Sequence, residues 1–155
     1  FAKNYPELLK GLIITGSSGL YENNMGDKYP NRENYNWIKS KTEDVFFDSK
    51  IATKELIDEV FDTVNDRNKL IRTLALAKSA IRHNMANDLP KMKIPTAIIW
   101  GNQDTVTPPE VAKEFNKLLP NSSLFWIDKC GHVPMMEHPQ KFNKIMHNWL
   151  VNLIN

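Results

Sequence analysis

Two residues in this chain have the types and settings for proton-transfer chemistry, Asp104 and His132. Each lies in a short loop after an apolar run. Asp104 closes Trp100-Gly101-Asn102-Gln103-Asp104, and His132 sits within Cys130-Gly131-His132-Val133-Pro134. A carboxylate beside an imidazole fixes the ring's tautomer and stabilises the imidazolium, which leaves the other ring nitrogen to move a proton. These are two of the three parts of a nucleophile–histidine–acid triad. The third part has no evident candidate. Gly16-Ser17-Ser18-Gly19 lacks the G-x-S-x-G spacing of a nucleophile elbow, so Ser17 and Ser18 read as loop residues. Cys130 is two residues from His132, and side chains so placed on a tight turn rarely aim at a common centre. His132, Glu137 and His138 follow an H-x-x-x-x-E-H spacing that matches no zinc motif, so no metal site is expected. His83 and His147 sit among polar neighbours in helical patterns and read as surface residues.

The elements that must position the pair follow from the hydropathy pattern. Residues 11–15 and 96–100 are compact, β-branched apolar runs, as expected of buried strands, and residues 123–128 form a third. Continuous apolarity rather than alternation favours strands covered on both faces, as in a parallel sheet. Thr107-Pro108-Pro109-Glu110 reads as a capping box, with Thr107 as N-cap and Pro108 as the first helical residue. A last helix follows Pro139. Between the first two strands, residues 20–88 carry no strand signal. They read as a polar loop, a poor helix over residues 32–39, a helix capped by Thr53, and another starting near Asp66 with Leu70, Ile71, Leu74 and Ile81 on about one side. The order is strand, helical insert, strand, helix, strand, helix, which favours an α/β architecture. In such sheets ligands bind beyond the carboxyl ends of the strands, where Asp104 and His132 both fall.

Composition narrows the function classes. Twenty basic and 18 acidic side chains are interspersed over 155 residues, with no basic run, so nucleic acid is not an expected partner. No apolar stretch approaches the roughly 20 residues that span a bilayer, so no membrane partner is expected either. A single cysteine excludes an internal disulfide framework.

Ile98-Ile99-Trp100-Gly101-Asn102-Gln103-Asp104 with Pro108, and Gly131-His132-Val133-Pro134 with Glu137, Pro139 and Phe142, resemble the C-terminal half of an α/β-hydrolase. The subgroup they look like contains meta-cleavage-product hydrolases, haloperoxidase-like esterases, epoxide hydrolases and haloalkane dehalogenases. The resemblance implies a core fragment over residues 1–19 and 89–155, with a three-stranded parallel sheet piece and flanking helices. Residues 20–88 would be a helical cap. It further implies that the nucleophile elbow and both oxyanion-hole amides precede Phe1, so that this chain is a C-terminal piece of a longer protein and inactive alone.

The expected function is a hydrolase of small, fairly apolar molecules, cleaving an ester, C–C, epoxide or carbon–halogen bond. A Ser or Asp nucleophile would lie upstream, with His132 as base, Asp104 orienting it, and no metal or organic cofactor. Val133, Met135 and Trp37 are candidate substrate contacts, since soft and aromatic side chains suit an apolar pocket. Two further expectations are a homo-oligomer formed through an exposed sheet edge and a cytoplasmic location. The alternative is a non-catalytic protein of the same fold used for binding.

Overall fold

The computed structural model describes residues 1–21 and 31–154, without the side chains of residues 80–82. Most of the asparagine- and tyrosine-rich loop expected after residue 20, and the Ile81 side chain, lie outside the described residues. Three parallel strands form one sheet in the order β1-β2-β3: β1 (Leu12–Ile14), β2 (Thr96–Gly101) and β3 (Ser122–Ile127). Leu12 pairs with Thr96, and Thr96 with Ser122; at the other end Gly101 pairs with Ile127. Every residue of β2 is buried, which accounts for its unbroken apolar run.

Helices cover both faces of the sheet. On one face, Ile98 and Trp100 pack with Val111, Ala112 and Phe115 of α4 (Pro109–Leu118). On the other, Ile99 and Ile127 pack with Phe142 of α6 (Pro139–Ile154). The alternation of β2 side chains between two faces divides the core this way. Trp100 also donates from Nε1 to the Thr107 carbonyl at 2.9 Å, which satisfies its buried polar atom. The N-terminal residues fold as one turn on the Phe1 carbonyl, followed by a 3-10 turn over Pro6–Leu8.

Between β1 and β2 the chain forms three helices, α1 (Tyr35–Glu43), α2 (Lys54–Asn65) and α3 (Arg67–Arg82). Each has a side-chain cap. Asn34 Oδ1 accepts from the Trp37 amide, Thr53 Oγ1 from the Leu56 amide, and Asp66 Oδ1 from the Asn68 and Lys69 amides. Those amide bonds hold the Asp66 carboxyl below the usual carboxylate range, the Lys69 amide most. The insert has its own small core of Phe46, Ala52 and Ile57. No described helix is long and apolar enough to cross a membrane.

One expected element differs. The N-cap of α4 is Pro108, not Thr107, and no side chain caps it. The Thr107 side chain is turned towards the loop: its hydroxyl donates to Asp104 Oδ2 at 2.8 Å and faces His132 Nδ1 at 3.3 Å, away from the helix amides that a cap would serve. A one-turn helix not evident in the sequence, α5 (Pro134–Glu137), follows the His132 loop, and α6 restarts at Pro139.

Candidate active site

The ends of all three strands meet at His132. Asp104 reaches it from the loop after β2: His132 Nδ1 lies 3.0 Å from Asp104 Oδ2 and 3.2 Å from Oδ1. The Asp104 side chain has no solvent exposure, whereas that of His132 is one quarter exposed. Asp104 is fixed before His132 is considered. Its Oδ1 accepts from the Val106 and Thr107 amides at 2.9 and 3.0 Å, and its Oδ2 from the Thr107 hydroxyl. A carboxylate can only accept, so Nδ1 carries the proton and Nε2 presents its lone pair. The Thr107 hydroxyl spends its proton on Asp104 and turns a lone pair to His132 Nδ1 at 3.3 Å. The arrangement can orient an imidazole as a base and stabilise its charged form.

From the end of β1 comes Gly16, at φ +51°. A Cβ there would lie 2.9 Å from both Cε1 and Nδ1 of His132, and 2.7 Å from its carbonyl oxygen. Only a glycine satisfies both the backbone and this approach of the ring. Ser17 hydrogen-bonds the Thr15 carbonyl at 3.3 Å, as a loop residue.

Gln103 zips the two loops together. Its amide donates to the Cys130 carbonyl at 2.9 Å, and its Oε1 accepts from the Cys130 amide at 3.0 Å. Its Nε2 donates to Asp128, whose carboxyl is held below the usual range by this bond and by nearby amides. Cys130 is fully buried, and its thiol is pushed up to about 12 by burial first and then by the Glu137 carboxylate. At neutral pH it is a protonated core residue, not a nucleophile.

His132, Glu137 and His138 do not converge. Glu137 turns to the Gly131 and Phe47 amides, and His138 Nε2 donates to the Lys129 carbonyl at 2.8 Å. Among the described residues no group of three His, Cys, Asp or Glu side chains gathers in metal-binding geometry.

A groove of about 980 Å³ is lined by the insert and, from the segment after His132, by Val133 and Met136. Trp37, Val45, Phe46, Leu56, Leu74 and Val133 are among its lining. Of the two methionines after the loop, Met136 lines it; Met135 is not among its lining and is 38% exposed. Among the described residues the lining includes Arg32, Lys41 and Lys78 and no acidic side chain.

Sequence reasoning placed Asp104 and His132 at one end of the sheet and missed Thr107, Gln103 and Gly16. The need of a buried carboxylate for donors close by was the available signal for Thr107. For Gly16 there was none, since a close approach is visible only in three dimensions.

A parallel sheet covered by helices, an acid and a histidine at successive strand ends, and an insert over them define an α/β hydrolase-type architecture. Residues 12–139 match the model of the alpha/beta hydrolase fold family, and the chain belongs to that family. It is 29% identical to a 2-hydroxy-6-oxononadienedioate/2-hydroxy-6-oxononatrienedioate hydrolase from Pseudomonas sp., over 96% of this chain and 57% of that protein. It is 32% identical to the monoacylglycerol lipase ABHD6 of Homo sapiens, over 64% of this chain and 29% of that one. Among solved structures, an α/β hydrolase from the metagenome of Mar Chica lagoon sediments is 51% identical, with a TM-score of 0.70, over 97% of this chain and 54% of that one. The chain spans about half the length of these full-coverage relatives. By name these relatives are two hydrolases and a lipase.

Proposed function

We propose that this chain supplies the acid and base of a hydrolase that acts on small, fairly apolar substrates through a covalent ester intermediate. The observation that carries the reading is the contact of His132 Nδ1 with both oxygens of the buried Asp104 carboxylate. His132 Nε2 takes the proton of a serine nucleophile and then that of the hydrolytic water; with an aspartate nucleophile it activates the water alone. No G-x-S-x-G occurs in the 155 residues, and in this reading the nucleophile is supplied from outside them. Residues 20–88 act as the cap, and the groove beneath them is the substrate site, with Trp37 and Val133 as contacts and Met136 in place of Met135. Lys41 is paired with Asp44, while Arg32 and Lys78 are available to meet an anionic end of the substrate. The curated relatives act on dienedioates and monoacylglycerols by name, and both combine a carbon chain with a polar end.

The test is turnover by the protein encoded with its upstream sequence. An elbow of the G-x-S-x-G or G-x-D-x-G form should precede Phe1, and His132→Ala and Asp104→Asn should each lower kcat by about 10³–10⁴-fold. An upstream sequence with no such elbow would favour the non-catalytic reading. The present chain alone should show no His132-dependent hydrolysis of p-nitrophenyl acetate; such turnover would place the nucleophile inside it. Among the described residues β1 pairs only with β2, and we assign its free edge to a second copy, so light scattering should find a dimer or larger, and a monomer would refute that assignment.

A further inference from the structure

Glu137 has no part in proton transfer in the scheme above, yet it sits at the junction between the His132 loop and the helical insert. Its Oε1 accepts from the Gly131 amide at 2.7 Å, and its Oε2 from the Phe47 amide at 2.8 Å. The junction is built from the other side as well. The His132 amide donates to the Val45 carbonyl at 3.0 Å, and the Thr105 hydroxyl donates to the Asp44 carbonyl at 3.3 Å. The backbones are in close contact: a Cβ on Gly131 would lie 2.7 Å from the Val45 oxygen and 2.9 Å from the Phe47 nitrogen. Residues 44–47 are thus bonded to both the acid-bearing and the base-bearing loops. Within this segment, Val45 and Phe46 also line the groove.

We infer that Glu137 is a positioning residue that clamps the His132 loop to the 44–47 segment of the insert, so that the setting of His132 depends on the segment that lines the substrate groove. The chemistry requires a carboxylate. Two amides converge on one side chain, and both need an acceptor. A glutamine offers one oxygen and turns an N–H₂ group towards the other amide, which repels it. A single carboxylate therefore holds one backbone from each side of the junction, and charge-assisted bonds are the stronger kind. The consequence for function is mechanical. An occupant of the groove that presses on Val45 and Phe46 acts on the residues that fix the His132 amide.

The inference rests on the reading of His132 as the base, but its test does not use turnover. The imidazole nitrogens of His132 and the amides of Gly131 and Phe47 are followed by ¹⁵N NMR in the chain as it stands, with the amides of Ala97, Ile98 and Ile99 as a reference for the sheet. In Glu137→Gln, hydrogen exchange at Phe47 or Gly131 should quicken by about tenfold or more, the scale of one hydrogen bond to a charged acceptor. The His132 ring signals should move away from those of an Nδ1–H tautomer held by Asp104, while the three reference amides keep their protection. A merely structural role would change stability and leave the ring signals where they were, and that result overturns the inference. Should Glu137→Gln fail to fold, Glu137→Asp keeps the charge but is one methylene too short to bridge both amides, and it is read the same way. Unaltered His132 signals in the folded Glu137→Asp chain, with exchange quickened at Phe47 or Gly131, would equally overturn it. Loss of His132-dependent turnover in the longer protein is a separate result, and bears only on the base assignment.

Discussion

At the ends of β2 and β3 the Asp104 carboxylate accepts hydrogen bonds from the Val106 and Thr107 amides, the Thr107 hydroxyl and the His132 ring, with no side-chain exposure. In the insert, α3 leaves Ile71, Leu74 and Leu76 exposed by 56%, 46% and 73%. The first region is held by many short-range directional contacts. The second has, among the described residues, a small core of Phe46, Ala52 and Ile57 with Ile38 also buried, and large apolar side chains left exposed. On the proposed function the difference separates two tasks. A proton-transfer pair has to be held to a fraction of an ångström, so its surroundings are over-determined. A wall that admits apolar molecules needs apolar surface that its own fold does not consume. The same division predicts that substitutions at the strand ends are felt by the fold, whereas substitutions at the groove-lining positions of α3, such as Leu74, are felt by ligands.

The sharpest challenge to the rigid half is Gly101→Ala. An added Cβ would lie 2.1 Å from the Gly131 oxygen and 2.4 Å from the Cys130 oxygen. Both are backbone atoms that cannot swing aside. The variant should lose about 3 kcal/mol or more of stability in urea unfolding, or fail to fold, since overpacking against backbone leaves no relaxation path. A loss within about 0.5 kcal/mol would show that the two loops slide more freely than their bonds imply.

Thr107→Val follows in size. It keeps the branched shape and removes the hydroxyl that donates to Asp104 Oδ2. Thr107 is 1% exposed, so water cannot replace the lost donor. The expected cost is about 2 kcal/mol, in the range of a hydrogen bond to a charged group. The His132 ring, 3.3 Å from the same hydroxyl, should report the change in its NMR signals.

These two residues also show where sequence reasoning stops. Asp104 and His132 were legible because each follows an apolar run and a glycine, and α/β order puts such loops at one end of a sheet. Thr107 was misread because threonine before Pro-Pro-Glu satisfies a capping rule, and only the fold reveals that its side chain faces the Asp104 carboxylate rather than the helix amides. The choice between Met135 and Met136 depends on the phase of a single helical turn. At about 100° per residue, adjacent side chains face different directions, and pattern alone does not set the origin of rotation. The insert's helices were legible from periodicity and caps, although α1 begins at Tyr35, three residues after the expected start at residue 32. What these helices enclose was not, because it depends on contacts between segments far apart in sequence.

A third prediction uses pH. The Cys130 thiol has an ordinary value of 9.0 and is raised to about 12 in the fold, by burial and then by Glu137. Between those values the unfolded chain gives up a proton that the folded chain keeps, so stability falls as pH rises through this window and is unaffected below it. The loss between pH 8 and pH 10 should be about 1 kcal/mol larger in the parent chain than in Cys130→Ala. Equal losses would mean that the thiol is far less enclosed than its place between Ile99, Ile127 and Phe142 implies.

The smallest expected effect bears on the insert. Leu76→Ala should change stability by less than about 0.5 kcal/mol, because a side chain 73% exposed already faces water in the folded state and surrenders little on truncation. Leu74→Ala is the more informative partner. Leu74 is 46% exposed and lines the groove, two residues before Leu76 on the same helix. Its stability cost should also be small, yet it removes apolar wall from the ligand's side. Binding of 1-octanol, measured by NMR titration, should therefore weaken by about fivefold or more in Leu74→Ala and stay unchanged in Leu76→Ala. If both variants lose affinity equally, the effect acts through the helix as a whole. The insert would then be as tightly coupled as the strand ends, and the division between a fixed catalytic end and an accommodating wall would fail.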